Sequence, residues 1–173
     1  MNIPEIHEKI FLKRNSSPFL AVLSAEGIVP KLLWTKRMEN GDVVTAQRWL
    51  KGRVLNANEM KSKDVAALLY KIHSSKPLLH MLSRLGKKPV TPSNILKELK
   101  SKLSSITMNQ TISLSLQFLN KTEDVVDYPD KVVCHSDVNH NNWLLGQEGY
   151  LYLIDWEQAV IADPALDIAM VLY

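Results

Sequence analysis

The tightest constraint on this chain lies between residues 131 and 155. Three short β-rich runs, 131–134, 143–145 and 150–154, are bounded by turn residues, with Gly146 and Gly149 in the last turn. Between the first two lies a loop, His135-Ser136-Asp137-Val138-Asn139-His140-Asn141-Asn142, polar at every position except Val138. A polar loop hemmed by apolar strands is costly unless its groups are used or solvated. Asn and Asp also make ordinary surface turns, which is the plain alternative for any one of these residues.

The joint spacing is more specific than any single residue. Asn142 follows Asp137 by five positions, and Asp155 follows Asn142 by thirteen, after a strand, a turn and a strand. Phosphoryl transfer needs one carboxylate to accept the proton of an attacking hydroxyl, and further oxygens to hold magnesium on the nucleotide. Asp137 suits the first task, Asn142 and Asp155 the second. The order also matches that of catalytic loop and magnesium loop in the kinase signature set.

Read from the other end, the run Ile10-Phe11-Leu12-Lys13 predicts a buried strand, and Pro18 and Gly27 bracket a helix over 18–26. Runs 31–37 and 42–47, joined through Asn40-Gly41, predict a hairpin. Residues 48–58, with Gly52 and two asparagines, read as a hinge. Helices are predicted over 62–74, capped by Ser62, from Thr91-Pro92 onwards, with Ile95, Leu96, Leu99 and Leu103 on one face, and over 111–120. Asp163-Pro164 opens a last helix through Leu166, Ile168 and Met170.

Composition excludes more than it selects. At 173 residues and 46% hydrophobic, the chain can bury a core, and a net charge of +3 neither demands nucleic acid nor excludes an anionic ligand. The run Arg84, Lys87, Lys88, Lys97, Lys100, Lys102 lacks aromatic interleaving and reads as a solvated helix face, so no nucleic-acid partner is expected. One cysteine, Cys134, rules out an intrachain disulfide. No apolar stretch approaches a membrane span and no leader pattern opens the chain, so a cytoplasmic protein is expected. A rival metal-hydrolase reading, built on Cys134, His135, Asp137 and His140, lacks paired histidines on a helix face.

The loop and the intact Ile154-Asp155-Trp156-Glu157 resemble the His-Gly-Asp-Leu-His-Pro-Gly-Asn and Ile-Asp-Trp-Glu motifs of the aminoglycoside phosphotransferase and choline kinase superfamily. Asp163-Pro164-Ala165-Leu166-Asp167 likewise resembles its Asp-Pro-x-x-Asp. The resemblance implies an α+β, protein-kinase-like two-lobed fold. Residues 1–50 would form a partial N-terminal lobe, and 51–173 a mainly helical C-terminal lobe. It implies an ATP- and Mg2+-dependent enzyme, with Asp137 as catalytic base and Asn142 and Asp155 as metal ligands. Lys13 would bind the phosphates, and Gln47, Trp49 and Leu50 would lie at the adenine. His135 and Asp167 would support the loop.

More narrowly, Phe11-Leu12-Lys13-Arg14-Asn15-Ser16-Ser17-Pro18, the run 24–32 and Thr45-Ala46-Gln47-Arg48-Trp49-Leu50 resemble a Gram-positive bacterial branch associated with ribose or 2-deoxyribose phosphorylation and cell-cycle control. Choline, thiamine and aminoglycosides are the alternative substrates. Three departures accompany the resemblance. No glycine precedes Gly27, so the first strands and glycine-rich lid are expected to be missing; Glu26 is the sole acid near the predicted first helix; and the last helices are expected to be absent. A regulatory module with a protein partner is therefore the rival to an active kinase.

Overall fold

A computed structural model describes residues 9–121 and 128–172. Three strands and one helix come first: β1 (Ile10–Arg14), α1 (Phe19–Ala25), β2 (Leu32–Arg37) and β3 (Val43–Arg48). They form an antiparallel sheet of order β1-β3-β2, with Lys13 opposite Thr45. The β2–β3 turn closes as Asn-Gly predicts: Met38 N–H donates to the Asp42 carbonyl at 2.7 Å, and Gly41 takes φ +88°. Asp42 also receives Arg14 at 2.6 Å and Asn15 Nδ2 at 2.9 Å. Those contacts, the Asn15 hydrogen bond foremost, hold its carboxyl below the usual range.

β1 differs from the expected buried strand. Phe11 is 47% and Leu12 54% exposed, because among the described residues β1 is the edge of its sheet and pairs with β3 alone. Sequence hydrophobicity reports that a run is apolar, and not whether a neighbour covers it.

The segment expected to be a plain hinge contains a strand, β4 (Gly52–Val54), followed by a 3-10 turn at Glu59–Lys61. Then come α2 (Lys63–Ser74), α3 (Lys76–Arg84), α4 (Pro92–Ser104) and α5 (Gln110–Lys121). Ser62, Ser75 and Thr91 each accept an N–H of the first turn of the helix that follows, at 3.4, 3.3 and 3.2 Å. α3 was not anticipated, although Ser75, Pro77 and Gly86 punctuate it in the usual way. The apolar face predicted for α4 is not buried: none of its residues is, and Leu99 is 41% exposed. In α5 only Ile112 is buried.

The chain then returns to strands: β5 (Val132–Cys134), β6 (Trp143–Gly146), β7 (Leu151–Leu153) and the unanticipated β8 (Val160–Ala162), before α6 (Ala165–Leu172). β4, β6 and β7 form one small sheet, and β5 pairs with β8. Asp163 caps α6 as predicted, accepting the Ala165 N–H at 2.8 Å. One continuous core joins these parts. Phe19 and Leu23 of α1 lie in it with Leu69 and Ile72 of α2, Leu78 and Leu82 of α3, Trp143 of β6, and Trp156. Asp155 and Glu157, just after β7, meet Lys13 of the β1–β3 sheet, and Asn142 at the end of the polar loop lines the same cleft.

Candidate active site

The loop is held from beneath by one buried carboxylate. Asp167, in the first turn of α6, is wholly buried and accepts the backbone N–H groups of His135 and Ser136, both at 2.9 Å. His73 Nε2, from α2, lies 3.1 Å from the same carboxylate. Charge-assisted bonds of this kind are stronger than neutral ones, and burial keeps water from competing. Asp167, expected to hold the loop rather than touch substrate, lies here against the loop's backbone and not among the residues lining the cleft. His73 was missed, since a lone histidine at the end of α2 gives no local signal.

His135 is fully buried, and both ring nitrogens are engaged: Nε2 with the Ile154 carbonyl at 2.8 Å, Nδ1 with the Asp137 N–H at 3.2 Å. Since Nδ1 faces a donor and Nε2 an acceptor, the neutral tautomer with hydrogen on Nε2 fits both. Burial pushes its pKa below the ordinary 6.5, against the opposing pull of the Ile154 carbonyl and nearby aspartates. The ring meets Trp156 edge-on at 4.6 Å, and Trp156 meets Phe19 at 5.7 Å. Through this one side chain the two motif segments are locked together.

Ser136 stands where the family motif has glycine, and it takes φ +64°. That left-handed conformation costs a non-glycine residue about 1–2 kcal/mol. Its hydroxyl donates to the Gln158 carbonyl at 2.7 Å, an interaction glycine could not make, which offsets part of the strain.

Asp137 and Asn142 meet directly. The Asn142 amide nitrogen donates to the Asp137 carbonyl at 2.8 Å and to its carboxylate Oδ2 at 3.0 Å, while Asn139 Nδ2 donates to Oδ1 at 2.7 Å. With its nitrogen so committed, Asn142 has its side-chain oxygen as the atom suited to a hard cation. The Asn142 carbonyl accepts the Ile154 N–H at 2.9 Å, tying the loop to the residue before Asp155.

Asp155 adopts φ +69°, ψ +64°, and a 3-10 turn, Trp156–Gln158, follows it. The Trp156 indole donates to the Leu153 carbonyl at 2.7 Å and anchors this turn. Lys13 Nζ lies 3.6 Å from Asp155 Oδ1 and in contact with the Glu157 carboxylate. The hydrogen bond between Asp155 and Glu157 raises the Asp155 pKa, with burial and the Glu157 charge adding to it. The same bond, helped by Lys13, pulls Glu157 down to about 2. The Asp155 carboxylate and the Asn142 amide oxygen are hard oxygen donors of the kind Mg2+ takes. Glu157 was quoted within its motif but given no role; a second acid two residues past Asp155 was the available signal.

These residues open on a cleft of about 820 Å³ between β1–β3 and the C-terminal strands. Lys13, Gln47, Trp49, Leu50, Asn142 and Asp155 all line it. Gln47 is buried, its amide donating to the Pro30 carbonyl at 2.9 Å, and Trp49 is 49% exposed. Trp49 N–H donates to the Lys9 carbonyl at 3.3 Å. His135 and Asp167 lie beneath the cleft, and Asp137 stands one hydrogen bond from its Asn142 wall.

The hydrolase alternative fails on geometry. Cys134 is buried, and its Sγ donates to the Asp163 carbonyl at 3.3 Å. Both nitrogens of His135 are taken. Among the described residues, His73, Cys134 and Asp167 also bring ligand-type atoms together, and these are engaged in hydrogen bonds, Asp167 with His73 and His135 and Cys134 with the Asp163 carbonyl.

A kinase-like fold, in which the polar loop 135–142 is tied to the segment carrying Asp155, defines the class. The chain belongs to the phosphotransferase enzyme family whose profile matches residues 12–173. Among solved structures, it is similar to spectinomycin phosphotransferase in complex with ADP and spectinomycin, at 14% identity and a TM-score of 0.65, covering 95% of this chain and 61% of that one. It is similar also to a choline kinase from Streptococcus pneumoniae, at 21% identity and a TM-score of 0.62, covering 96% and 62%. A macrolide 2'-phosphotransferase matches at 16% identity and a TM-score of 0.62, covering 95% and 63%. The chain thus spans a little over 60% of the length of these relatives. Among the described residues, no helix is long and apolar enough to cross a membrane.

Proposed function

We propose that this chain binds ATP with Mg2+ and transfers the γ-phosphate to a hydroxyl of a small molecule. The observation that carries the reading is the convergence on one cleft of a strand lysine, an amide oxygen and two acidic side chains, with Asp137 hydrogen-bonded to the Asn142 amide beside it. A boundary near residue 50 is part of this reading, supported by the pairing of β1–β3 in one sheet and of β4 with β6 in another. The adenine would lie against 47–50 in the cleft between these parts.

In this reading Asp137 accepts the proton of the acceptor hydroxyl as its oxygen bonds to the γ-phosphorus. The bond from that phosphorus to the bridging oxygen breaks, and ADP leaves. Asn142 and Asp155 would hold Mg2+, which when bound neutralises charge on the phosphates. Lys13 steadies the phosphates, while Asp167 and His135 keep the loop from moving during transfer.

For substrate, the resemblance of 11–18 and 45–50 favours a pentose, ribose or 2-deoxyribose, and with it a link to cell-cycle control. The matched structures carry other acceptors: one is solved with spectinomycin, another is a choline kinase. A screen of pentoses, choline, thiamine and aminoglycosides with ATP and magnesium, read as ADP release, tests this. The pentose assignment requires turnover on ribose or 2-deoxyribose at least tenfold above choline and the aminoglycosides. Turnover on choline alone would replace the substrate, and none on any acceptor would favour the regulatory module with a protein partner.

A further inference from the structure

Kinases of this fold orient the phosphate lysine with a glutamate from the helix that follows its strand. A lysine ammonium is a point charge on a flexible stem, so its usefulness at a phosphate depends on what holds it. Here α1 has no acidic residue in Phe19–Ala25. Glu26 follows at its C-cap, and its backbone carbonyl accepts the Lys71 ammonium on the side of α2. Among the described residues, the carboxylates that meet Lys13 come instead from the loop after β7: Glu157 in contact, and Asp155 at 3.6 Å.

Asp155 is the residue assigned above to the cation, which leaves Glu157 for the lysine. The geometry assigns Glu157 as the positioning residue of Lys13, in place of a helix glutamate. This assignment rests on the phosphotransferase reading. Glu157 is well mounted for it. It sits on the 3-10 turn whose Trp156 is pinned between His135 and Phe19, and whose Gln158 carbonyl accepts the Ser136 hydroxyl. Lys13 is fixed on the other side by its register opposite Thr45, whose hydroxyl donates to the Lys13 carbonyl at 3.2 Å. The lysine is therefore set by the loop that also carries Asp155, and a swing of α1 would not release it.

A double-mutant cycle on the whole chain tests the assignment: wild type, Glu157→Gln, Lys13→Met and the double variant, each titrated with ADP by calorimetry in metal-free buffer. Direct repulsion between Glu157 and the phosphates is present in both backgrounds and cancels in the cycle. If Glu157 acts through Lys13, its removal weakens ADP binding at least about threefold more with Lys13 present than with Met at that position. Equal effects in the two backgrounds, or none in either, would overturn the assignment. They would leave the phosphotransferase reading intact, since wild-type ADP binding tests that separately. A wild type that binds no ADP would overturn both.

Discussion

Asp167 is the residue on which most of the site geometry depends, although it does not line the cleft. Its carboxylate takes two backbone N–H groups and His73 in a fully buried setting. Asp167→Ala would leave these donors without an acceptor, at a cost of about 3 kcal/mol or more, and chemical denaturation should show that loss. His135 makes a second prediction. Its folded pKa is below the ordinary 6.5, so the unfolded chain binds more protons just under that value and stability falls on acidification. The lowered carboxylates Asp42, Glu59 and Glu157 give up stability only at lower pH, as they protonate. Between pH 6.5 and 5, a falling denaturation midpoint in the wild type and a flatter one in His135→Asn is the expected pattern. Identical slopes would assign the effect elsewhere.

Between elements, the critical contact is that of β4 with β6. Gly52 lies opposite Gly146, and a Cβ on it would come within 2.3 Å of the Leu145 carbonyl oxygen, a backbone atom with little freedom to move. Gly52→Ala should cost about 2–3 kcal/mol in thermal or urea unfolding, the upper range for overpacking; a loss under 0.5 kcal/mol would mean that the strands part easily. At this scale the legibility of the sequence was uneven. Capped and punctuated elements such as α2, α4 and α6 could be read from Ser62, Thr91-Pro92 and Asp163-Pro164, because a cap is a local interaction. β4 and β8 are three residues each, and they become strands only through partners far along the chain: β4 through β6, β8 through β5. Nothing in Gly52-Arg53-Val54 announces that pairing. The open faces of β1 and α4 were misjudged for the complementary reason, that periodicity marks an apolar face without naming what covers it.

Across the whole molecule, the core and the site are one construction. Phe19 and Leu23 tie α1 to α3 and to Trp156, while Trp156 ties the loop that carries Asp155 to His135 and so to Asp137. The linear spacing of Asp137, Asn142 and Asp155 was legible because β6, β7 and their turn bring the ends of that span together. The contributions of His73 and Glu157 were not. The first acts over 94 positions of chain, and the second takes meaning only once Lys13 is seen beside it. The central claim, that Asp137 performs the chemistry of a phosphotransferase here, is tested most directly by measuring magnesium-dependent ADP release alongside ADP binding in the wild type and in Asp137→Ala. The account predicts turnover lower by about 10²–10⁴-fold in the variant, with ADP affinity within about threefold of wild type, since that side chain does not line the cleft proposed to hold the nucleotide. Turnover undiminished in Asp137→Ala would contradict it.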